Sequence, residues 1–355
     1  MTSLHEVALL RLVAQRIAGP PCPTAADAVR SLTAVQAQDL PGALTSVALR
    51  TASRTRSDVT AAFDAGAVVR SWPMRGTLHL VAADDLPWLL ELLRPRVQLI
   101  GSSRWRQLEL TEQDAARADE LVHAALRGGR RLPRKALFAA LDAGGVPTTG
   151  QRGAHLLGHL ARTGRICLGP TEGGGEQLFV LLDEWVPEPR RLDREEALGE
   201  LALRYFRGHG PATVPDLVRW AGSTLRDVRT GLAIARPQLA CVQVDGTEYF
   251  LDPETPERLA AAREEARGTF LLPGFDEFML GYGDRGAVLD PAFAEHIVPG
   301  GNGMFRPTVV SDGRVVGTWR STGTGARRSV TATPFTTFPD DVAAAIPTVA
   351  ATVGD

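Results

Sequence analysis

The chain has 355 residues, of which 44% are apolar and 23% are charged, a composition typical of a soluble globular protein with two to four domains. No apolar run approaches the ~18–20 residues needed to span a bilayer. The N-terminus has no basic region ahead of an apolar segment, which argues against secretion, so we expect a cytoplasmic protein.

The charge leaves DNA binding open, and the cysteines exclude a disulfide-rich protein. The net charge of −2 does not favour binding to nucleic acid. The positively charged residues, however, are almost all arginine, with Lys135 as the one lysine, and the guanidinium group is well suited to binding phosphate. A protein of modest net charge still binds DNA through one basic face, so composition is neutral on DNA. Three distant cysteines, Cys22, Cys167 and Cys241, exclude a disulfide framework and lack zinc spacing.

Two helices are predicted first. Apolar residues recur at helical spacing over residues 4–17, and Ser3 is placed to cap that helix. Gly19-Pro20-Pro21 ends it, and a second helix begins near Thr24.

A stretch over residues 34–43 follows and contains Gln36 and Gln38. Pro41 biases Leu40 away from helical angles, which predicts that the second helix ends here with both glutamines at its frayed terminus. Side chains two residues apart diverge on an intact helix, so only an unwinding end would let the two amides converge on one ligand. The alternative from spacing alone is a helix end with solvated glutamines.

A plan of helices followed by a strand pair is predicted three times, which is typical of tandem winged helix-turn-helix units. The third strand pair meets at Asp245-Gly246, a strong hairpin signal, and Ser223 is expected to cap the helix before it. The predicted helices cover 42–49 and 57–64, then 114–126, 133–141 and 150–162, then 194–206, 214–221 and 224–235; the strands cover 68–72 and 76–81, 166–168 and 177–181, and 239–244 and 248–251.

The tail differs from these copies. A charged helix over 253–267 is followed by a strand-rich module that starts at Phe270, with strands over 307–310, 314–320 and 327–333; residues 343–355 are either a docked helix or disordered. We therefore predict an α+β fold, with winged-helix units over 1–109, 110–190 and 191–266 and a C-terminal β-rich module over 267–355.

Several features have a functional and an ordinary interpretation. The third helices of the first two units carry few basic residues. Recognition of DNA bases in the major groove and a purely structural role are therefore equally supported for these units. His155 and His159 could share a metal, but no further ligand pattern follows, so capping or surface roles are preferred. Asp276 and Glu277 could be an acid/base pair, but neighbours in a strand face opposite sides. No metal and no cofactor is expected.

Four stretches together resemble the AlkZ-type bacterial DNA glycosylases: 34–39, 71–79, 272–278 and 302–307. The resemblance covers nearly the whole chain. It implies tandem winged helices with a β-rich tail and excision of N7-alkylated purines. Some members also unhook interstrand crosslinks left by natural-product alkylators and so protect the producing cell.

The resemblance also implies the catalytic residues. The family element of two glutamines around one residue maps onto Gln36 and Gln38. Ala37 departs from the larger apolar residue often found between them, which affects pocket shape. The related YcaQ type has an aspartate at the second position, so Gln38 places this chain on the AlkZ side.

Amides suit this chemistry because an N7-alkylguanine is already cationic and leaves as a neutral base without a strong acid. Glutamine carbonyl oxygens can accept from the attacking water and can place negative dipole ends beside the oxocarbenium-like centre. A crosslinked base stays tied to the other strand and cannot flip fully, so an open concave site is expected. With no lysine near the glutamines, a Schiff base and lyase activity are not expected.

The sequence therefore predicts a metal-free monofunctional glycosylase, a monomer that acts on double-stranded DNA and associates with the nucleoid when bound. The alternatives are a winged-helix DNA-binding protein without catalysis, regulatory or drug-sequestering, and a protein-docking scaffold. For the basic residues, wing stabilisation and strand-edge protection compete with DNA contact. The candidate DNA contacts are Arg75, His79, Arg306, Arg320, Arg327 and Arg328.

Overall fold

The chain forms two compact units in the computed structural model, which describes residues 3–172, 176–323 and 328–352, with backbone alone at 97–102. The first unit is Met1–Val59 together with Leu198–Asp355, and the second is Thr60–Ala197. Helices and antiparallel sheets occur in both, so the predicted mixed helix-and-sheet fold is confirmed.

The first helices begin where the sequence predicts. The hydroxyls of Ser3 and Thr24 accept the N–H groups of Glu6 and Asp27, which have no partner inside the first turn of their helices. The elements of this region are α1 (Leu4–Ala14), α2 (Ala25–Leu32), β1 (Val35–Gln36), α3 (Leu40–Ala48) and α4 (Arg56–Asp64).

The prediction that Gln36 and Gln38 lie at a helix end is wrong. Helix α2 ends at Leu32, where Thr33 takes a left-handed conformation with φ of 68°. Pro41 lies in the first turn of α3 and does not close α2; a proline is harmless there because that N–H has no helical partner. The glutamines therefore stand on an extended segment between two helices.

The second unit contains the predicted helices and strands. Its strands pair antiparallel in the order β3-β2-β4-β5, and the predicted turn at 173–175 lies outside the described residues. Helix α5 was not predicted, and it holds Pro95 in its interior, where proline usually breaks a helix. The elements are β2 (Val68–Met74), β3 (Thr77–Ala82), α5 (Leu86–Gln107), α6 (Glu112–Leu126), α7 (Arg134–Ala143), α8 (Arg152–Arg162), β4 (Ile166–Glu172), β5 (Glu176–Leu181) and α9 (Leu182–Trp185).

The next region repeats helices followed by a hairpin. Thr224, and not Ser223, caps its third helix, because the Thr224 hydroxyl accepts the N–H of Asp227. The predicted hairpin forms across Asp245-Gly246. The elements are α10 (Arg194–His209), α11 (Val214–Ala221), α12 (Leu225–Ala235), β6 (Ala240–Val244), β7 (Thr247–Leu251) and α13 (Thr255–Ala266).

The tail is a four-stranded antiparallel sheet in the order β11-β10-β9-β8. A C-terminal helix docks on it through Val342, which packs with Leu271 and Trp319; Arg327 and residues 353–355 lie outside the described part. The elements are β8 (Thr269–Leu272), α14 (Glu277–Leu280), α15 (Ala294–Ile297), β9 (Thr308–Ser311), β10 (Arg314–Thr322), β11 (Ser329–Pro334) and α16 (Asp340–Thr352). Single 3₁₀ turns cover Ala83–Asp85, Arg236–Gln238, Pro291–Phe293 and Pro299–Gly301.

Each unit has its own apolar core. Leu12, Leu259 and Phe278 belong to the core of the first unit, and Leu137 and Phe179 belong to that of the second. Within the described residues, no helix combines the length and apolarity needed to cross a membrane.

Candidate functional site

The extended segment presents its two glutamines differently. Gln36 is buried, with 7% of its surface exposed, whereas Gln38 is exposed. The Gln36 side-chain oxygen Oε1 accepts the backbone N–H of Gln38 at 3.3 Å, so the first amide stabilises the backbone that carries the second. A carbonyl oxygen has two lone pairs, so this bond uses part of the accepting capacity of Gln36.

A buried carboxylate holds the segment from behind. Glu277, fully buried at the start of α14, accepts the backbone N–H of Gln36 on Oε1 at 3.1 Å. Its other oxygen, Oε2, accepts the indole N–H of Trp220 at 2.8 Å and lies 3.3 Å from Nε2 of His209, which donates to it. Burying a carboxylate is costly unless it is hydrogen bonded, and these three donors satisfy that need.

The neighbouring carboxylate, that of Asp276, forms its hydrogen bonds with other buried side chains. Asp276 pairs with Arg50 through both carboxylate oxygens, at 2.8 and 2.9 Å, and accepts the Ser46 hydroxyl at 2.6 Å. Arg50 also donates to the side chain of Gln15 at 2.9 Å. The prediction of a strand at Asp276 and Glu277 is wrong: Asp276 caps α14, and both carboxylates point into the protein.

Aromatic side chains surround this polar network. The Tyr205 ring stacks on His209 with centroids 4.7 Å apart, and Trp220 contacts both rings. The Tyr282 hydroxyl donates to the carbonyl of His209 at 2.7 Å and accepts from Gln15. Burial raises the pKa of the Tyr205 and Tyr282 hydroxyls, so both remain proton donors.

Three of the four family-like stretches meet in the first unit. Gly42, just after the glutamine segment, lies against the carboxylate of Asp39 and the carbonyl of Gly274, so a side chain there would collide with Asp39. Gly274 in turn approaches the carbonyl of Phe305, and the rings of Phe275 and Phe305 lie 6.2 Å apart. The sequence analysis considered Asp276 and Glu277 only as an acid/base pair and did not predict the hydrogen bond from Gln36 to Glu277.

The fourth stretch lies in the second unit, on the turn between β2 and β3. Arg75 is half-buried with φ of 53°, and one of its guanidinium nitrogens is 3.2 Å from Nε2 of His79. Nδ1 of His79 is 2.9 Å from the carbonyl of Thr77. Since a carbonyl only accepts and a guanidinium only donates, Nδ1 carries the proton and Nε2 accepts from Arg75. His79 is fully buried and is thus a neutral support for Arg75.

The tail arginines occupy different surroundings. Arg306 is exposed and donates to the carbonyl of His296 at 3.4 Å. Arg320 is exposed on β10. Arg328 is half-buried and donates to the Ser321 hydroxyl at 3.0 Å. The predicted contact Arg327 lies outside the described residues.

Comparison with known proteins defines the class as DNA glycosylase. Residues 29–355 match the family model described as "DNA glycosylase AlkZ-like", and the chain belongs to this AlkZ-like family.

A named protein and a solved structure, both from Streptomyces sahachiroi, match this chain over most of its length. A Streptomyces sahachiroi protein named "Interstrand DNA cross-link repair glycosylase" is 31% identical over 314 residues, which cover 84% of this chain and 82% of the relative. The solved structure of Streptomyces sahachiroi DNA glycosylase AlkZ has a TM-score of 0.82 and 28% identity, and the match covers 99% of this chain and 95% of that one.

Proposed function

We propose that this glycosylase hydrolyses the N-glycosidic bond of cationic N7-alkylpurines in duplex DNA, with Gln36 and Gln38 as the catalytic residues. The observation that carries the proposal is the pairing of a buried, anchored Gln36 with an exposed Gln38 on one extended segment. The hydrogen bond from the Gln38 backbone to the Gln36 side chain couples the two residues on this segment.

The reaction follows from the charge of the substrate. Water adds to C1′ of the sugar as the C1′–N9 bond breaks. The electrons of that bond stay on N9 and neutralise the positive charge of the alkylated base, and the added water loses one proton to solvent and leaves a hydroxyl on C1′. The free lone pair of Gln36 Oε1 and the amide oxygen of Gln38 place negative dipole ends beside the positive sugar and accept from the water. Loss of one such preorganised dipole typically lowers a rate about 10²–10³-fold.

We further propose that interstrand crosslinks are substrates. The support is the printed name of the Streptomyces sahachiroi relative, a cross-link repair glycosylase, together with the exposure of Gln38, which suits a base that cannot leave the helix completely. Self-resistance to a natural-product alkylator is the corresponding biological role.

For DNA contact we propose Arg75, supported by His79, and the tail arginines Arg306, Arg320, Arg327 and Arg328. Guanidinium groups bind phosphate in a planar, bidentate geometry. The buried His79 accepts from the Arg75 guanidinium at 3.2 Å and so supports that side chain on the turn between β2 and β3.

We also propose that segments 1–109, 110–190 and 191–266 are winged-helix units and that 267–355 is a β-rich module. The support is the repeated order of helices followed by a hairpin: α6, α7, α8, β4, β5 and then α10, α11, α12, β6, β7. Winged helices commonly bring such hairpins to DNA.

Release of free base tests the proposed function. Full-length protein is incubated with duplexes that carry a single N7-methylguanine or an N7–N7 interstrand crosslink. Free base is quantified by mass spectrometry for the first duplex, and separation of the strands is quantified by denaturing electrophoresis for the second. We expect release from both substrates, and a loss of about 10²–10³-fold for Gln36→Ala and for Gln38→Ala. Wild-type rates in both folded variants would exclude this mechanism.

A further inference from the structure

We propose that Glu277 is a positioning residue for the glutamine segment and acts through the main-chain N–H of Gln36. The inference rests on the proposed function, because it assumes that Gln36 and Gln38 act on the substrate. Glu277 does not need to touch DNA for this role, since its carboxylate lies behind the segment and is fully buried.

Two hydrogen bonds link Glu277 to the backbone of Gln36 and, through the Gln36 side chain, to the backbone of Gln38. Oε1 of Glu277 accepts the N–H of Gln36 at 3.1 Å. The side-chain oxygen of Gln36 accepts the N–H of Gln38 at 3.3 Å. A shift of the Gln36 backbone therefore moves its own side chain and also the backbone that carries Gln38.

The carboxylate itself is held rigidly. Trp220 and His209 donate to its second oxygen, and Tyr205 stacks on the His209 ring. The backbone carbonyl of Glu277 accepts from the side-chain amide of Gln15 at 3.3 Å. Both the side chain and the main chain of Glu277 are thus fixed, as preorganised positioning requires.

Charge explains the use of a carboxylate at this position. Bonds from N–H groups to an ionised oxygen are shorter and about twice as strong as neutral ones. Glu277→Gln keeps the size of the side chain but removes the charge and turns one accepting oxygen into a donor group that faces Gln36, Trp220 or His209. The variant therefore loosens the segment and leaves the fold's apolar core unchanged.

The test is a double-mutant cycle on base release from N7-methylguanine duplex, measured as the single-turnover rate constant at saturating enzyme. We expect Glu277→Gln to lower this rate about 10–100-fold, with the duplex Kd within about twofold of wild type. In a Gln36→Ala background the same change should alter the rate by less than about twofold, because the Gln36 side-chain oxygen, which acts on the substrate and links the anchored backbone to the N–H of Gln38, is absent.

Asp85→Asn is the matched control. It makes the same change from carboxylate to amide at a fully buried residue of the second unit, which does not contain the glutamine segment; there Asp85 accepts the indole N–H of Trp88 at 2.9 Å and pairs with Arg190 at 2.7 Å. We expect this variant to lose stability and to keep its rate per folded molecule. Thermal unfolding of each variant supplies the folded fraction used for the comparison.

Two results would overturn the inference. One is an equal fold-loss from Glu277→Gln with and without the Gln36 side chain, and the other is a loss in Asp85→Asn as large as in Glu277→Gln. If release by Gln36→Ala falls to the spontaneous rate, the comparison with Asp85→Asn alone decides. The proposed function fails on a different result, wild-type release by both Gln36→Ala and Gln38→Ala, so the two failures are distinguishable.

Discussion

The two units bury very different side chains. The interior of the first unit holds the charged Arg11, Arg50, Asp276 and Glu277, whereas the clustered core of the second is aliphatic and aromatic, with Asp85 among its few buried charged groups. Buried charge stabilises a fold less than apolar packing does, because the desolvation cost offsets the attraction. One of these buried charges, Glu277, accepts the backbone N–H of Gln36 and so holds the segment that carries both glutamines, which indicates that it fixes geometry.

The largest expected effect comes from breaking the buried ion pair. Arg50→Met leaves the carboxylate of Asp276 in the interior without its bidentate partner, which typically lowers the free energy of unfolding by about 3–5 kcal/mol. Urea unfolding followed by circular dichroism measures the change.

The second unit supplies the matched variant, Arg190→Met. Arg190 pairs with the buried Asp85 but is itself 35% exposed, and Asp85 keeps the indole N–H of Trp88. We expect a loss of only about 1 kcal/mol. Equal losses in the two variants would remove the contrast between the units.

The variants Gln36→Ala and Gln38→Ala are expected to lose different amounts of stability but similar amounts of activity. Gln36→Ala removes a buried side chain and a hydrogen bond to the Gln38 N–H, so the free energy of unfolding should fall by about 1 kcal/mol. Gln38→Ala alters an exposed position and should stay within about 0.5 kcal/mol of wild type.

Base release by these variants completes that prediction. Both should lose about 10²–10³-fold in rate, so activity and stability should be uncoupled for Gln38. A Gln38→Ala protein with wild-type release would assign the chemistry to Gln36 alone.

Arg75→Ala tests the DNA-contact proposal for the second unit. Loss of one phosphate contact should weaken duplex binding similarly for all sequences and reduce the slope of log K against log salt by about one. Fluorescence anisotropy at several salt concentrations measures both quantities. Arg117, exposed and paired with Glu120, provides the control, since Arg117→Ala should leave the slope unchanged.

The smallest effect concerns an ion pair near the surface of the first unit. The hydrogen bond from Arg263 lowers the pKa of Glu6, so Glu6 stabilises the fold above its unfolded-state pKa and this contribution disappears as the pH falls through the lower folded pKa. Glu6→Gln should be less stable than wild type near pH 6 and should converge with it in acid. The free energy of unfolding of both proteins is measured from pH 3 to pH 7. A difference between wild type and Glu6→Gln that stayed constant over this range would contradict the prediction.

The sequence predicted local elements well because their signals are local. Capping hydroxyls at Ser3 and Thr24 and the turn at Asp245-Gly246 mark boundaries within a few residues. The extended glutamine segment was not predicted because the alanine-rich sequence around it favours helix, and nothing local shows that Thr33 turns left-handed.

The support of the candidate site depends on distant contacts. Glu277 reaches Gln36 across 241 residues of sequence, and Asp276 reaches Arg50 across 226. No spacing rule connects such positions in a single sequence. The glutamines were therefore identified through family resemblance, while the carboxylate behind them required the fold.

The charge of the leaving base tests the central claim most directly. Two otherwise identical duplexes, one with cationic N7-methylguanine and one with uncharged 8-oxoguanine, are incubated with wild-type protein at neutral pH, and free base is measured over time. An enzyme that uses amide groups and no strong acid should release N7-methylguanine, whereas 8-oxoguanine should be released only at the rate seen without enzyme. Comparable release of both bases would contradict the account, because the neutral lesion requires an acid that two glutamines do not supply.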